Sequence, residues 1–422
     1  MAREMKDSGI EWIGYIPKNW VICKVKHHYT MQTGFTPDTK KAEYYDDLDG
    51  YDWINISDMV DGKTIHSSKN KISELYVREF SPKPIPAGSL MYSFKLSVGQ
   101  TSFAGKDLFS NEAIASFILA PNVNLHFFRY SSSFIIENAQ TNIYNAKILN
   151  QDLIRNAIIP FPPLNEQHRI ADFLDRKCAE IDRVLEKTRA SIEEYKKLKQ
   201  SVITQAVTKG IRGEREMKDS GIEWVGEIPI DWDVNIMFQI FKQVKNKNEG
   251  LIENNLLSLS YGKIKRKNID TVGGLLPESF DGYNIIEKDD IVIRLTDLQN
   301  DHKSLRVGLS PERGIVTSAY VTVRNYSHNL AEYLYYYLHS YDVAKGFYGM
   351  GAGVRQGLNW DGLKNLQITI PTLSEQQEIC DYLDRKCAEI DTLISKKEQL
   401  ITELEAYKKS LIYEYVTGKK EV

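Results

Sequence analysis

The run Gly349-Met-Gly351-Ala-Gly353-Val-Arg355-Gln356 is where residue type and spacing come nearest to a recognisable chemistry. Its alternating glycines invite a dinucleotide-loop reading. That fingerprint needs G-x-G-x-x-G between a strand and a helix, with an acidic residue about 20 positions on, and it fails here. Arg355 and Gln356 instead suit bidentate contacts with base edges, arginine with guanine and glutamine with adenine. The glycines would let the backbone approach a duplex closely. A plain flexible loop is the alternative. The basic run Lys263-Ile-Lys265-Arg266-Lys267, after Tyr261-Gly262, suits phosphate contacts, which position a protein without specifying sequence. An ordinary solvated turn explains it as well. Thr33-Gly34-Phe35-Thr36-Pro37, followed by Lys40-Lys41 and Tyr44-Tyr45, combines turn residues, positive charge and aromatics. Trp53 is expected to anchor that loop in the core, and Ser93-Phe-Lys95 to end a strand within reach of DNA.

Catalytic constellations are missing from the sequence. It holds no G-x-x-x-x-G-K-[ST] phosphate loop, no H-E-x-x-H zinc motif and no G-x-S-x-G nucleophile elbow. An Asn-Pro-Pro-Tyr or Asp-Pro-Pro-Tyr tetrapeptide, the mark of a DNA amino-methyltransferase, is absent too. His126 and His302 stand alone, which argues against a metal. The four cysteines have no Cys-x-x-Cys spacing and read as packed, reduced thiols of a cytosolic protein. No apolar run reaches the 18 residues of a membrane span, and no secretory signal is expected at the N-terminus. The chain reads as non-catalytic and cytoplasmic.

Net charge is −3, a mild argument against nucleic acid. What counts is where charge sits. Residues 233–370 hold 16 Lys+Arg against 15 Asp+Glu, and residues 21–160 hold 14 against 14, so both interiors are near neutral but clustered.

The elements that must position these loops are written twice. MKDSGIEW occurs at Met5–Trp12 and Met217–Trp224, and LDRKCAEID at Leu174–Asp182 and Leu383–Asp391, offsets of 212 and 209. A chain of 422 residues is thus a duplication whose ends match while interiors of about 140 residues do not. From Asn165 to about Lys209 there is neither proline nor glycine. Leu174, Cys178, Ile181, Leu185, Thr188, Ile192 and Tyr195 fall at the alternating four–three spacing of a coiled coil. Leu383, Cys387, Ile390, Ile394, Lys397, Ile401 and Leu404 repeat it. Asn165 or Ser374 is expected as N-cap, with Ser374–Gln377 as a capping box. Helices of about 44 residues, roughly 65 Å long, are expected to pair with each other antiparallel; oligomerisation handles are the alternative. In the interiors, Ser89–Phe94, Ala115–Leu119, Asp290–Leu295 and Ala319–Arg324 read as strands. Ala331–His339 reads as a helix whose tyrosines pack the domain rather than stack on bases.

MKDSGIEWIGYIPKNW, PPLNEQHRIADFLDRKCAEID and AVTKG in the first half, then MKDSGIEWVGEIPIDW, PTLSEQQEICDYLDRKCAEID and YVTGK in the second, resemble the specificity subunit of type I restriction–modification systems. GFTP, WINISDM and PAGSLMYSFKLSVGQ look like one class of target-recognition domain; DIVIRLTDLQND and GVRQGLNWDGLKNL look like another. The resemblance implies an α+β fold: two mixed α/β target-recognition domains separated by two long antiparallel coiled-coil helices, with an internal pseudo-twofold duplication. Frame motifs would occupy residues 1–20 and 217–232, recognition domains 21–161 and 233–370, and the long helices 162–216 and 371–422. Each domain would read one half of an asymmetric double-stranded DNA target, and the helices would set the half-site spacing. Two modification subunits carrying S-adenosylmethionine and two restriction subunits using ATP and Mg would be the partners, with no cofactor on this chain and no membrane. A scaffold presenting two protein-interaction modules, without DNA, is the competing reading. On chemistry and loop position, the candidate DNA contacts are Thr36, Lys40, Lys41, Tyr44 and Lys95 in the first insert. In the second they are Lys263, Lys265, Arg266, Lys267, Arg294, Arg306, Arg355 and Gln356.

Overall fold

The computed structural model describes residues 3–46, 48–141, 147–269, 279–350 and 357–422. The chain divides into two compact units, Met1–Lys187 with Leu400–Val422, and Thr188–Gln399. Each unit contains the first part of one long helix and the last part of the other. The central helix spans Leu164–Lys209 and the terminal helix Leu373–Val416, 46 and 44 residues.

The repeated octapeptide makes the same hairpin twice. Met5–Asp7 pairs with Tyr15–Pro17, and Met217–Asp219 with Glu227–Pro229, both antiparallel. Asp7 accepts the Gly9 N–H at 2.9 Å and Asp219 the Gly221 N–H at 3.0 Å. Both glycines have φ near +70° (72° and 68°), a conformation that costs other residues strain.

Helix starts differ from the expected caps. The Pro163 carbonyl accepts the N–H of Glu166 at 2.9 Å, and the Thr372 carbonyl that of Gln376 at 2.9 Å. Asn165 and Ser374 therefore lie inside the first turn, and Gln377 donates to Asp381 rather than closing a capping box. A proline fits the start because its missing N–H would have had no helical partner.

Packing along the helices follows the predicted seam. In the first unit Leu174, Cys178, Ile181 and Leu185 are buried with Leu411 and Val416, and Ile401 and Leu404 pack against them. In the second, Ile203, Ala206 and Val207 share a core with Ile379, Leu383 and Cys387. Early residues of one helix meet late residues of the other, so the pairing within each unit is antiparallel. Lys408–Asp182 at 2.6 Å and Lys199–Asp391 at 2.7 Å are the same ion pair at repeat-equivalent positions. Lys397, out of place in an apolar seam, sets its ammonium 5.6 Å from the Tyr195 ring centroid.

At the first turn of each long helix a carboxylate is buried. Glu166 accepts from the Trp20 indole at 2.8 Å, from Asn19 at 2.8 Å and from the Arg3 guanidinium. Glu375, wholly buried, accepts from the Trp232 indole at 3.0 Å and from Arg215 at 3.0 Å. Burial works to raise the Glu166 pKa, but the bonds from Arg3, Trp20 and Asn19 outweigh it and leave it below its ordinary value. The next residue ties in the inserted domain. Gln167 donates to the Pro162 carbonyl and accepts from Asn124 N–H, both at 2.9 Å. Gln376 does the same with Pro371 at 2.9 Å and Leu330 N–H at 2.8 Å. Asn124 and Leu330 immediately precede helices Leu125–Ser131 and Ala331–Val343.

A two-strand pair closes each insert: Val21–Lys24 with Ile158–Phe161, and Asp233–Ile236 with Gln367–Ile370. The interiors then diverge. The first carries a mixed sheet in the order Thr30–Thr33, Ile114–Ile118, Leu90–Ser93, Thr101–Ala104, Lys63–Ile65. Its central strands are buried on both faces: Leu90, Tyr92 and Phe103 enter one core, Met91 and Ala104 the other, as the two-residue period requires. The second carries an antiparallel sheet in the order Phe241–Gln243, Val321–Asn325, Ile291–Ile293, Val307–Leu309. Tyr333 and Tyr337 of helix Ala331–Val343 are fully buried behind it, so these tyrosines pack the domain.

Glu375→Ala should cost about 3 kcal/mol of stability, because it leaves the buried Trp232 indole N–H without an acceptor and removes the main partner of the half-buried Arg215. Lys199→Ala, removing a more exposed ion pair, should cost under about 1 kcal/mol. Urea unfolding of the two full-length variants checks this; equal costs would mean the buried carboxylate does not anchor the helix.

Candidate nucleic-acid interface

Sheet register collects three loops of the first unit at one edge. Ala115 lies opposite Thr33 and Ile114 opposite Ser93, so the loops following Thr33 and Ser93 and preceding Ile114 emerge side by side. Thr36 and Lys95 meet there on one carboxylate: the Thr36 hydroxyl donates to Glu112, and Lys95 Nζ stands 3.3 Å from it. The Thr36 bond foremost holds the Glu112 carboxyl below its ordinary value, with Lys95 adding to it. Glu112 was not among the expected contacts, though a carboxylate here is suited to accept from a cytosine amino group. Its signal was Asn111-Glu112 at a strand start, between turn residues. Trp53 is buried as expected, and its indole donates to the Phe35 carbonyl at 2.9 Å, fixing the loop beside Thr36.

Lys40 and Lys41 are exposed, but Tyr44 is not. Its ring is buried among Trp53, Ile72, Tyr76 and Phe109, and its hydroxyl donates to Glu79 at 3.2 Å while accepting from Lys41 at 2.8 Å. Tyr44 is a packing residue, not a contact, because no ring face is left for a base.

In the second unit the basic run is not a loop. Lys263–Arg266 is a strand paired with Leu257–Ser260 through the two-residue turn Tyr261-Gly262, whose φ values are both positive (47° and 74°). Lys263 and Lys265 share an exposed face, and Lys267 follows them. Arg266 differs, because Glu312 takes its guanidinium in a two-point contact, one arm at 2.6 Å. Arg294 is half-buried, 3.4 Å from Asp301. Bonds from the Ser304 hydroxyl and from the backbone of Ser304 and Lys303 hold the Asp301 carboxyl down at about 2.

Arg306 corrects the expectation outright. It is fully buried and donates to the carbonyls of Arg294, Thr296, Asp297 and Asp301, so it cannot also reach a phosphate or base. Arg355 and Gln356 lie outside the described residues.

Among the described residues no group of three or more His, Cys, Asp and Glu could hold a metal. His126 instead stacks on Phe103 and His302 on Tyr348. All four cysteines are free and buried, and burial pushes the Cys23 thiol up to about 11 and Cys380 to about 12, away from reactive thiolate. No described helix is long and apolar enough to cross a membrane.

Comparison with known proteins accounts for the duplicated frame. The family profile described as "Type I restriction modification DNA specificity domain" matches residues 17–194 and again 231–405. The chain belongs to this family. It is the specificity part of a restriction–modification system, distinct from the subunits that do the chemistry, and carries two DNA-specificity domains. The type I restriction enzyme MjaIX specificity subunit of Methanocaldococcus jannaschii is 23% identical over 85% of this chain and 84% of its own. The EcoBI specificity subunit of Escherichia coli is 21% identical over 99% and 90%. A chain solved in work on complex assembly and conformational transition of the type I R-M system shares the fold, with TM-score 0.72, 14% identity, and 96% and 99% coverage. The HsdS subunit from Thermoanaerobacter tengcongensis does so at TM-score 0.52, 15% identity, and 96% and 98% coverage.

Lys263→Ala and Lys265→Ala should each lower the salt dependence of DNA binding by about 0.9 in log–log slope. They should leave sequence preference intact, since phosphate contacts carry none. Fluorescence-anisotropy titrations of the full chain over a salt series measure this; an unchanged slope would remove the hairpin from the interface.

Proposed function

We propose that each unit reads one half of a split, asymmetric DNA target and that the long helices fix the distance between the halves. One observation carries the reading: the same anchor, Glu166 with Trp20 and Arg3, recurs as Glu375 with Trp232 and Arg215, while the sheets it supports differ in strand order. Identical mounting of dissimilar readers suits a target whose halves are unlike. The recognition domains, on this reading, are residues 21–161 and 233–370, each bounded by its closing strand pair.

Thr36, Lys40, Lys41, Lys95 and Glu112 would serve the first half-site. Lys263, Lys265 and Lys267, with Arg355 and Gln356, would serve the second, and Arg266 and Arg294 would do so only by giving up Glu312 and Asp301. The helices also offer docking faces. Leu393, Leu400 and Tyr407 are exposed at heptad spacing, and Val184 and Leu198, repeat equivalents of Leu393 and Tyr407, are exposed on the other helix. Two equivalent stripes suit two modification subunits, which would bring S-adenosylmethionine and methylate adenine N6. Two restriction subunits would add ATP- and Mg-dependent cleavage, all within the cytoplasm.

Removing one heptad from each helix at equivalent positions withdraws about 10 Å of length at ~1.5 Å per residue. The preferred spacer should shorten by up to about three base pairs, at 3.4 Å per step, with both half-site sequences unchanged. Methylation sequencing of DNA exposed to the shortened complex reads this directly. An unchanged spacer would contradict the ruler role.

A further inference from the structure

The loop joining strands Ile291–Ile293 and Val307–Leu309 is held from below by a single guanidinium. Arg306 lies at its base, buried completely. Its Nε donates to the Tyr348 hydroxyl at 3.0 Å. One terminal nitrogen donates to the Arg294 carbonyl at 3.1 Å and the Thr296 carbonyl at 2.8 Å. The other donates to Asp297 at 3.3 Å and Asp301 at 2.5 Å. Five bonds match the five N–H groups of a guanidinium. Leu295 and Leu298 anchor the loop in the core, Tyr348 adds a bond to the Asp301 carbonyl at 3.1 Å, and Lys345 one to His302 at 2.6 Å.

What this clamp displays is a row of exposed polar side chains: Thr296, Gln299, Asn300, His302 and Lys303. Burying a cation is costly unless every donor is paired. Rigid support of exposed hydrogen-bonding groups is what base reading requires, because an edge is discriminated only by donors and acceptors held in place. Asp297 accepts from the Asn300 amide at 2.7 Å, orienting it, and Thr296, Asp297, Asn300 and Gly357 line a cleft of about 640 Å³. The basic hairpin is adjacent: a Cβ built at Gly262 would lie 3.1 Å from that of Leu305.

We infer that this loop reads adenine in the second half-site through Gln299, seconded by Asn300, and that Arg306 is its positioning residue. The inference rests on the assignment of this unit to DNA reading. A glutamine amide offers one donor and one acceptor, the complement of adenine N7 and N6 in the major groove. Lysine at 306 would keep the charge but not the planar fork that spans four carbonyls.

The test uses the full chain assembled with its modification subunits, and duplexes carrying its target or each single-base change. Gln299→Ala, a surface change, should lower discrimination at one adenine of the second half-site about tenfold or more and leave the first half-site untouched. Arg306→Lys should relax several second-half positions together while the complex still binds the unaltered target. Full retention of discrimination by Gln299→Ala would overturn the reading role. Equal weakening of target and altered duplexes by Arg306→Lys would make the arginine merely structural. A wild-type complex with no base preference in either half would overturn the DNA-reading assignment itself, and this inference with it.

Discussion

Everything in this chain hangs from a carboxylate buried at the first turn of a long helix. Glu166 and Glu375 each face an indole N–H and a guanidinium, and each is followed by a glutamine that grips the adjoining domain through backbone groups. A lone buried carboxylate would be strongly destabilising; paired with arginine and tryptophan it fixes one geometry. The choice of geometry, more than raw stability, is what such a site offers. A domain that reads DNA through loops is useful only if those loops are mounted rigidly, and here the mount is built twice from the same residues.

The proposed recognition surfaces are not basic overall. Thr36 and Lys95 share Glu112, Arg266 is held by Glu312, and Arg294 lies beside Asp301. Cations already paired with carboxylates contribute less to nonspecific attraction than free ones, and on the proposed reading such carboxylates would be acceptors for base amino groups. Near-neutral interiors are therefore compatible with a reader that favours discrimination over tight general binding. Among the described residues no carboxylate pairs with Lys263 or Lys265 on their exposed strand face, where the proposed phosphate contact would ask little of geometry.

The parts of this fold that were legible in sequence are those written in local periodicity. Seam spacing gave both long helices, β-rich runs bounded by turn residues gave strands such as Leu90–Ser93 and Ile291–Ile293, and the tyrosine-rich segment was a packed helix, as its composition implied. Long-range pairing was invisible. Trp20 and Glu166 lie 146 residues apart, and nothing local says that Glu166 will be buried rather than solvated. The same blindness made Arg306 look like a DNA contact: a cation beside a strand reads as surface, and only the fold shows four carbonyls converging on it. Tyr44 was misjudged for the matching reason, since an aromatic beside lysines looks exposed until helix Glu74–Phe80 packs over it. Helix starts were missed by two residues because the first helical N–H bonds go to the Pro163 and Thr372 carbonyls, ahead of Asn165 and Ser374.

The central claim is that two unlike domains on one duplicated frame specify one asymmetric target. Single-molecule methylation sequencing of DNA from a host carrying this chain and its modification partner addresses it most directly. A split motif with unlike halves, a fixed spacer and methylated adenine in each half, lost when this chain is deleted, is the expected result. A palindromic motif, or none that depends on this chain while the partner is demonstrably active, would contradict it.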